Sequence, residues 1–340
     1  MVRASLLFLS IFLRLTLFAQ TWSAVGNGIK GSFTQLIIYN NKLVATGIDS
    51  LNNKKVSVAC WDGKSWKAAD SGLDGNITAM TLFNGRLYAG TTEKTGANAI
   101  YRLMYWNDTV WNKVSTLNGP INALCTFKGS LYAGGKFTMA DTTRARYIAR
   151  WNDTTWHPVG RNITNNVRAI AVYNNKIYVG GQFNEVDRWN GKSWETVQGA
   201  KSIKIGGYVK SFCLYNNELY ACGEFDYLAK WDEVDWSTVG SQNDGAAALT
   251  KYKESIYIGG DFTGVIDNQY ANHIAAYNAP TMKWNCLGGV FYNGGDCKPY
   301  NGTVWSLAEY NGDLYIGGQF MIAGGKVISN IARYSLQDKK

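Results

Sequence analysis

The sequence predicts an all-β chain folded as a single seven-bladed β-propeller of four-stranded blades, closed by an N-terminal strand that completes the last blade. Three observations predict it. Tryptophans come in pairs five residues apart, at Trp61/Trp66, Trp106/Trp111, Trp151/Trp156, Trp189/Trp194 and Trp231/Trp236. Seven segments share one hairpin pattern, of which AIAVYNNKIYVGGQF is typical. The seventh unit lacks a fourth strand, and a matching strand stands at the opposite end of the chain.

Residues 1–20 read MVRASLLFLSIFLRLTLFAQ. Arg3 gives a short positive start, an apolar run follows over 6–13, and Ala19 is a small residue before a cleavage point. The uninterrupted run is about half of the ~20 residues a spanning helix needs, which is the layout of a signal peptide. We therefore expect residues 1–19 to be removed and residues 20–340 to be exported, to an extracellular, periplasmic or cell-surface location. No second stretch approaches membrane length, so no membrane span is expected after cleavage. No cysteine stands near the cleavage point, which argues against a lipid anchor.

The mature chain opens with TWSAVG, which matches TWHPVG and DWSTVG further on. It reads as the fourth strand, D, of a blade, with Trp22 completing the set of D-strand tryptophans. The first two strands, A and B, are the hairpins. An aromatic ends each A strand, at Tyr39, Phe83, Phe127, Tyr173, Tyr215, Tyr252 and Tyr310, and a turn such as Asn-Asn, Asn-Gly or Lys-Gly follows. The B strand then runs from an aliphatic to glycine. Strands C and D flank the turns WDGKSW, WNDTVW, WNDTTW, WNGKSW and WDEVDW, with Tyr277 and Trp284 as the sixth pair. Asn, Asp and Gly suit tight hairpin turns because they tolerate positive φ. The period from Leu43 to Leu87 to Leu131 is 44 residues, and later spacings run from 37 to 58. Four short strands in such a period make a propeller blade. The blades fall near 34–73, 77–117, 120–160, 166–199, 207–240, 245–290 and 303–336, the last joined by 21–26. Pairing both ends of the chain in one blade removes the exposed sheet edges.

The order A, B, Gly-Gly, C, Trp, D resembles kelch and galactose-oxidase-type propellers. The finer pattern is similar to fungal cortical cell-polarity marker repeats and secreted bacterial propellers. It stands as GGKF (134–137) with IARW (148–151) and WHPVG (156–160), and as GGQF (317–320) with IARY (331–334). The resemblance covers essentially the whole mature chain and implies fold more than function, because this architecture hosts enzymes, scaffolds and lectins. Galactose oxidases hold copper with two His and two Tyr. The only histidines here are His157 and His273, one beside Trp156 and one before a C strand. Sialidase-type Asp boxes, a G-x-S-x-G elbow and C-x-x-C spacing are absent from the sequence. We expect no catalytic residues, no metal site and no cofactor.

The candidate binding residues follow the Gly pair. Lys136, Gln182, Glu224, Asp261 and Gln319 occupy one column in five blades, where the B–C loops open on one end of the ring. Three of these loops are long: 136–147, 261–273 and 319–330. Loops on a rigid scaffold carry recognition. Trp305, early in the seventh A strand, stands outside the tryptophan columns and joins the candidates. The other tryptophans recur at fixed repeat positions and read as packing between blades. The expected function is a non-catalytic binding or scaffolding module for a protein or a glycan, and the chain is expected to be monomeric. An alternative is a carbohydrate-active hydrolase or lyase using carboxylates such as Glu224 and Asp261. Asp261, Asp267 and Asn268 have spacing that Ca²⁺ could use, without the full D-x-[DN]-x-[DN]-G loop.

The chain carries 34 Lys+Arg against 25 Asp+Glu, a formal net charge of +9, and loses two positive charges with the leader. The basic residues form no run or stripe, and with expected export this points away from nucleic acid. Among the six cysteines, Cys286 and Cys297 bracket a Gly-rich insertion and are the disulfide candidates. Cys213 and Cys222 share a hairpin in diagonal register, which speaks against a bond, and Cys60 and Cys125 read as small core residues. Sequons occur at Asn76, Asn107, Asn152, Asn162 and Asn301, of which Asn107 and Asn152 are also turn residues.

Overall fold

The computed structural model describes residues 18–73, 75–95, 98–160, 163–197, 207–225, 228–240, 245–266, 269–287, 290–291 and 302–338. Cys297 and its expected bond to Cys286 lie outside these residues, as do most of the leader, Asp267, Asn268 and the sequons at Asn162 and Asn301.

Among the described residues every regular element is a β-strand. Seven antiparallel sheets each contain strands in the order A–B–C–D. The A strands, which number the blades 1 to 7, are Ile29–Tyr39, Asn76–Phe83, Ile121–Phe127, Val167–Tyr173, Val209–Tyr215, Ala246–Tyr252 and Thr303–Tyr310. Each touches the next, and the seventh touches the first, so the A strands stand around a common axis. The closing strand is Phe18–Ala24, which pairs with the C strand Ile331–Asp338, Trp22 opposite Tyr334. Their rings lie 5.0 Å apart. Blade 7 is thus built from both ends of the chain.

Local chemistry explains the hairpins. In six of the seven A–B turns both central residues take positive φ, as at Asn40 and Asn41 (46° and 55°), Asn174 and Asn175, and Asn216 and Asn217. This is the type I′ geometry whose twist matches the strands. In the C–D turns the first polar residue caps the turn. Asn107 Oδ1 accepts the N–H groups of Thr109 and Val110, at 3.1 and 2.8 Å. Asp62, Asn152, Asn190 and Asp232 repeat the arrangement. Two backbone donors hold the Asp62 carboxyl down to about 2.

The core lies between blades. One cluster joins Tyr215, Tyr220 and Val239 of blade 5 to Ile256, Phe262 and Trp284 of blade 6. In six blades the D-strand indole fastens the blade to the one before. Trp66, Trp111, Trp194, Trp236 and Trp22 donate Nε1–H to the carbonyls of Val25, Ala69, Val159, Val197 and Leu287, at 2.7 to 3.2 Å. Trp156 donates to Ser115 Oγ at 2.6 Å. At the A–B turns, the hydroxyls of Tyr173, Tyr252 and Tyr310 donate to turn carbonyls of the following blade, at 2.9 to 3.1 Å. Each of these rings therefore buries apolar area and satisfies a polar group at once.

Two long B–C segments differ from open loops. Residues Met139–Ala140 and Thr143–Arg144 form a small hairpin, and Ala140 pairs with Leu117 of the D strand of blade 2. Ile322–Ala323 and Lys326–Val327 do the same, with Ala323 opposite Val290. Both hairpins lie against outer strands, at the rim of the ring. The third long segment extends its own strands, from Thr263 opposite Asn272 to Ile266 opposite Gln269. Cys213 faces Tyr220 and Cys222 faces Ser211, so the diagonal register holds, and both are free thiols.

Candidate functional site

The paired glycines build the site. The first glycine lets the next blade come close: a Cβ on Gly180 would stand 2.5 Å from Val209 Cβ, and one on Gly134 would stand 2.4 Å from Val167 Cγ1. The second glycine admits a backbone carbonyl of its own blade. A Cβ on Gly181 would stand 2.0 Å from the Asn166 oxygen, and one on Gly223 would stand 1.9 Å from the Tyr208 oxygen. The same carbonyl accepts the N–H of the residue after the pair. Lys136, Gln182, Glu224 and Asp261 donate in this way to Pro120, Asn166, Tyr208 and Gly245, at 2.9 to 3.0 Å.

This crossing forces a β-bulge at the start of the A strand. Val167 faces Gly181 and Ala169 faces Gly180, so Arg168 has no opposite residue. The shift recurs in blades 2, 3, 5, 6 and 7 at Thr78, Asn122, Lys210, Ala247 and Trp305. A bulge re-aims the residue it leaves unpaired. Trp305 thus belongs to a column, one set by the bulge and not by the tryptophan repeat. These positions surround the axis at the end of the ring where the B–C connections emerge.

Three consecutive blades make a cleft there. Asn122, Asn166, Arg168 and Lys210 line a volume of about 340 Å³. A chain of amides forms one wall. Asn122 Nδ2 donates to Asn166 Oδ1 at 2.6 Å, and Asn166 Nδ2 donates to Gln182 Oε1 at 3.1 Å. Asn166 is only 6% exposed, so the wall is fixed from behind. Lys210 Nζ meets Glu224 Oε1 at 3.3 Å. The side chains of these partners are 23% and 44% exposed, so the carboxylate stands on the solvent side. Arg168 is partly buried and makes no ion pair among the described residues.

The expected column is therefore gathered at one end of the ring, with Gln182 and Glu224 at the cleft and Lys136, Asp261 and Gln319 exposed further round the ring. The sequence reading missed Asn122, Asn166, Arg168 and Lys210. A signal was present, since each A strand reads aliphatic, variable residue, small residue (INA, VRA, VKS, VWS) at its start. The two histidines are not brought together. His157 sits by the C–D turn of blade 3, near Asn152, and His273 is buried at the B–C end of blade 6. Among the described residues no group of three His, Cys, Asp or Glu side chains is placed to hold a metal. Among the described residues no helix is long and apolar enough to cross a membrane. Two cations, a fixed amide wall and an aromatic on the same ring suit reversible binding of polar, anionic groups.

No family model matches the sequence, and no curated protein matches it. Solved structures do. The WD40 β-propeller domain of Doa1 is similar with a TM-score of 0.59 at 12% identity, over 94% of this chain and 98% of that one. YCF48 bound to D1 peptide gives 0.56 at 12% identity, over 92% and 95%. The computationally designed Ika8 protein gives 0.55 at 11% identity, over 92% and 98%. These likenesses are of fold.

Proposed function

We propose that this protein is an exported binding module that holds a segment of a partner at the B–C mouth of the ring. The observation that carries the proposal is the bulge column. One repeated backbone device sends a different side chain from each of six blades toward one mouth, and three adjacent blades shape a cleft from them. Variable side chains on an invariant backbone are how a rigid scaffold acquires recognition. Glu224, the carboxylate nearest the cleft, is engaged with Lys210, which favours binding over acid–base chemistry there. A propeller of similar fold, YCF48, was solved with D1 peptide, which supports a protein segment as the ligand class.

Export is the part of the proposal that rests on residues 1–19 and their signal-peptide layout. The likeness to kelch-type and cortical-marker repeats belongs to it as well, supported by the GGKF, IARW and WHPVG motifs. A glycan is the second ligand class, favoured by Trp305, a partly buried aromatic on the mouth column.

The test applies residues 20–340 to peptide and glycan arrays, with and without calcium, beside Trp305→Ala and Arg168→Gln. Peptide binding lost in Arg168→Gln supports the proposal. Glycan binding lost in Trp305→Ala moves the ligand to the second class. Blank arrays, or hits untouched by both substitutions, overturn a binding mouth at this end of the ring.

A further inference from the structure

We infer that the Arg168–Lys210 cleft is a carboxylate receptor, which takes the acidic side chain or the free C-terminus of an extended protein segment; this rests on the binding mouth proposed above.

The cleft already shows the chemistry it selects. The chain's own Glu224 carboxylate lies on Lys210, on the solvent side of the pair and at 3.3 Å, longer than a tight charge-assisted hydrogen bond. It is an internal occupant of one half of the receptor. The other half, Arg168, is held in a partly buried position by the bulge and has no carboxylate among the described residues. Three other arginines on strands have partners. Arg102 meets Glu93 at 2.6 Å, Arg188 meets Glu195 at 2.8 Å, and Arg86 lies over the Tyr105 ring. A guanidinium offers a planar pair of donors that fits a carboxylate two-pronged.

The amide wall adds direction. Asn122 Nδ2 and Asn166 Nδ2 both spend hydrogen bonds inside the wall, toward Asn166 and Gln182. The wall therefore stays in place as a ligand enters, and little ordering cost is added on binding. About 340 Å³ is near the lower end of small-ligand pockets, room for two or three residues of a peptide rather than a folded surface. An incoming carboxylate bridges Arg168 and Lys210, and Glu224 swings into water. No bond is made or broken in the exchange.

The test uses fluorescent hexapeptides and residues 20–340. One peptide carries two glutamates and an amidated C-terminus. A second is built of Gly and Ser with a free C-terminus, and a third is the same with an amide. Inorganic phosphate serves as competitor. The first or the second peptide, but not the third, is expected to bind, and which of them binds names the source of the carboxylate. Arg168→Gln is expected to weaken binding by about tenfold or more, as expected for losing a charged partner. Glu224→Gln is expected to tighten it several-fold, because it removes the internal competitor while sparing the wall. A merely structural Lys210–Glu224 pair predicts the opposite sign for that variant. Equal binding of all three peptides, or weaker binding by Glu224→Gln, overturns the receptor while leaving a neutral binding mouth intact. Phosphate that displaces peptide at equal concentration reassigns the cleft to general anions. No peptide binding, together with blank arrays, removes the mouth itself.

Discussion

At the residue scale the sharpest case is His273. It opens the C-strand ladder of blade 6 with φ of 64°, the conformation also taken by Tyr147 and Asn330 before the C strands of blades 3 and 7. At Asn330 the side chain suits the corner, because its Oδ1 accepts the Phe320 N–H at 2.8 Å. His273 is 2% exposed and neither ring nitrogen has a well-aligned partner. Burial pushes its pKa below the ordinary histidine value, against weaker opposing pulls from the Asp261 carboxylate and the Gly260 backbone. The sign follows from linkage. A depressed folded pKa means the unfolded chain takes up the proton first, so stability is full above about pH 6.5 and falls as pH drops from there toward the folded pKa. We predict that the melting temperature of the native protein falls between about pH 7 and pH 5, and that His273→Asn flattens this fall. Parallel pH profiles for the two proteins would count against it. His273 could be located from sequence as a residue before a C strand, but its isolation could not. Whether a ring nitrogen finds a partner depends on Gly260 and Asp261, which belong to the neighbouring strand.

At the scale of elements, the outer strands were the most legible and the inner bulge the least. The D-strand tryptophans, the Asn-Asn turns and the WNDTVW turns each carry their cause in local chemistry, and each forms as expected. The bulge arises between strands, from a carbonyl crossing a glycine fifteen residues ahead, as Asn166 crosses Gly181. It moves Arg168 and Lys210 onto the mouth, while simple alternation offers no reason to single them out. The rim hairpins escaped for a similar reason, since Ala140 and Ala323 find their partners in the preceding blade. The tryptophan fastening can be divided into its two parts. Trp194→Phe keeps most of the ring but leaves the Val159 carbonyl without the donor it has at 2.7 Å. We expect a loss of about 1–2 kcal/mol from that change. Trp194→Ala also removes the buried ring, and about 3–5 kcal/mol is expected. Urea midpoints at constant slope measure both. Equal losses would mean that the indole N–H contributes nothing.

At the scale of the whole molecule, stability depends on a closed ring, and one seam is long-range. Strand Phe18–Ala24 pairs with Ile331–Asp338, and Trp22 donates to Leu287 at a separation of 265 residues. Lys326 Nζ reaches the Trp22 carbonyl at 2.8 Å, and Arg333 Nε reaches Ser23 Oγ at 3.0 Å. Contacts this distant form late, because the loop between them must be closed first. Until then the C strand of blade 7 presents an unpaired edge, which is a template for pairing with another chain. The other six blades are complete within themselves, so the seam is where the ring is expected to open first. A mature chain lacking residues 20–24 is therefore expected to form soluble oligomers or aggregates and to melt lower than the intact ring of residues 20–340. A synthetic QTWSA peptide, residues 20–24, is expected to restore the monomer, since it supplies the edge hydrogen bonds and the Trp22 ring together. The same peptide with alanine for tryptophan keeps the hydrogen bonds and loses the contact with Tyr334, so it is expected to restore the monomer less well. Light scattering and thermal melts read the outcome. A truncated chain that stays monomeric with an unchanged melting temperature would show that six blades and a three-stranded seventh hold the ring without the seam. Equal rescue by the two peptides would assign the closure to backbone pairing alone.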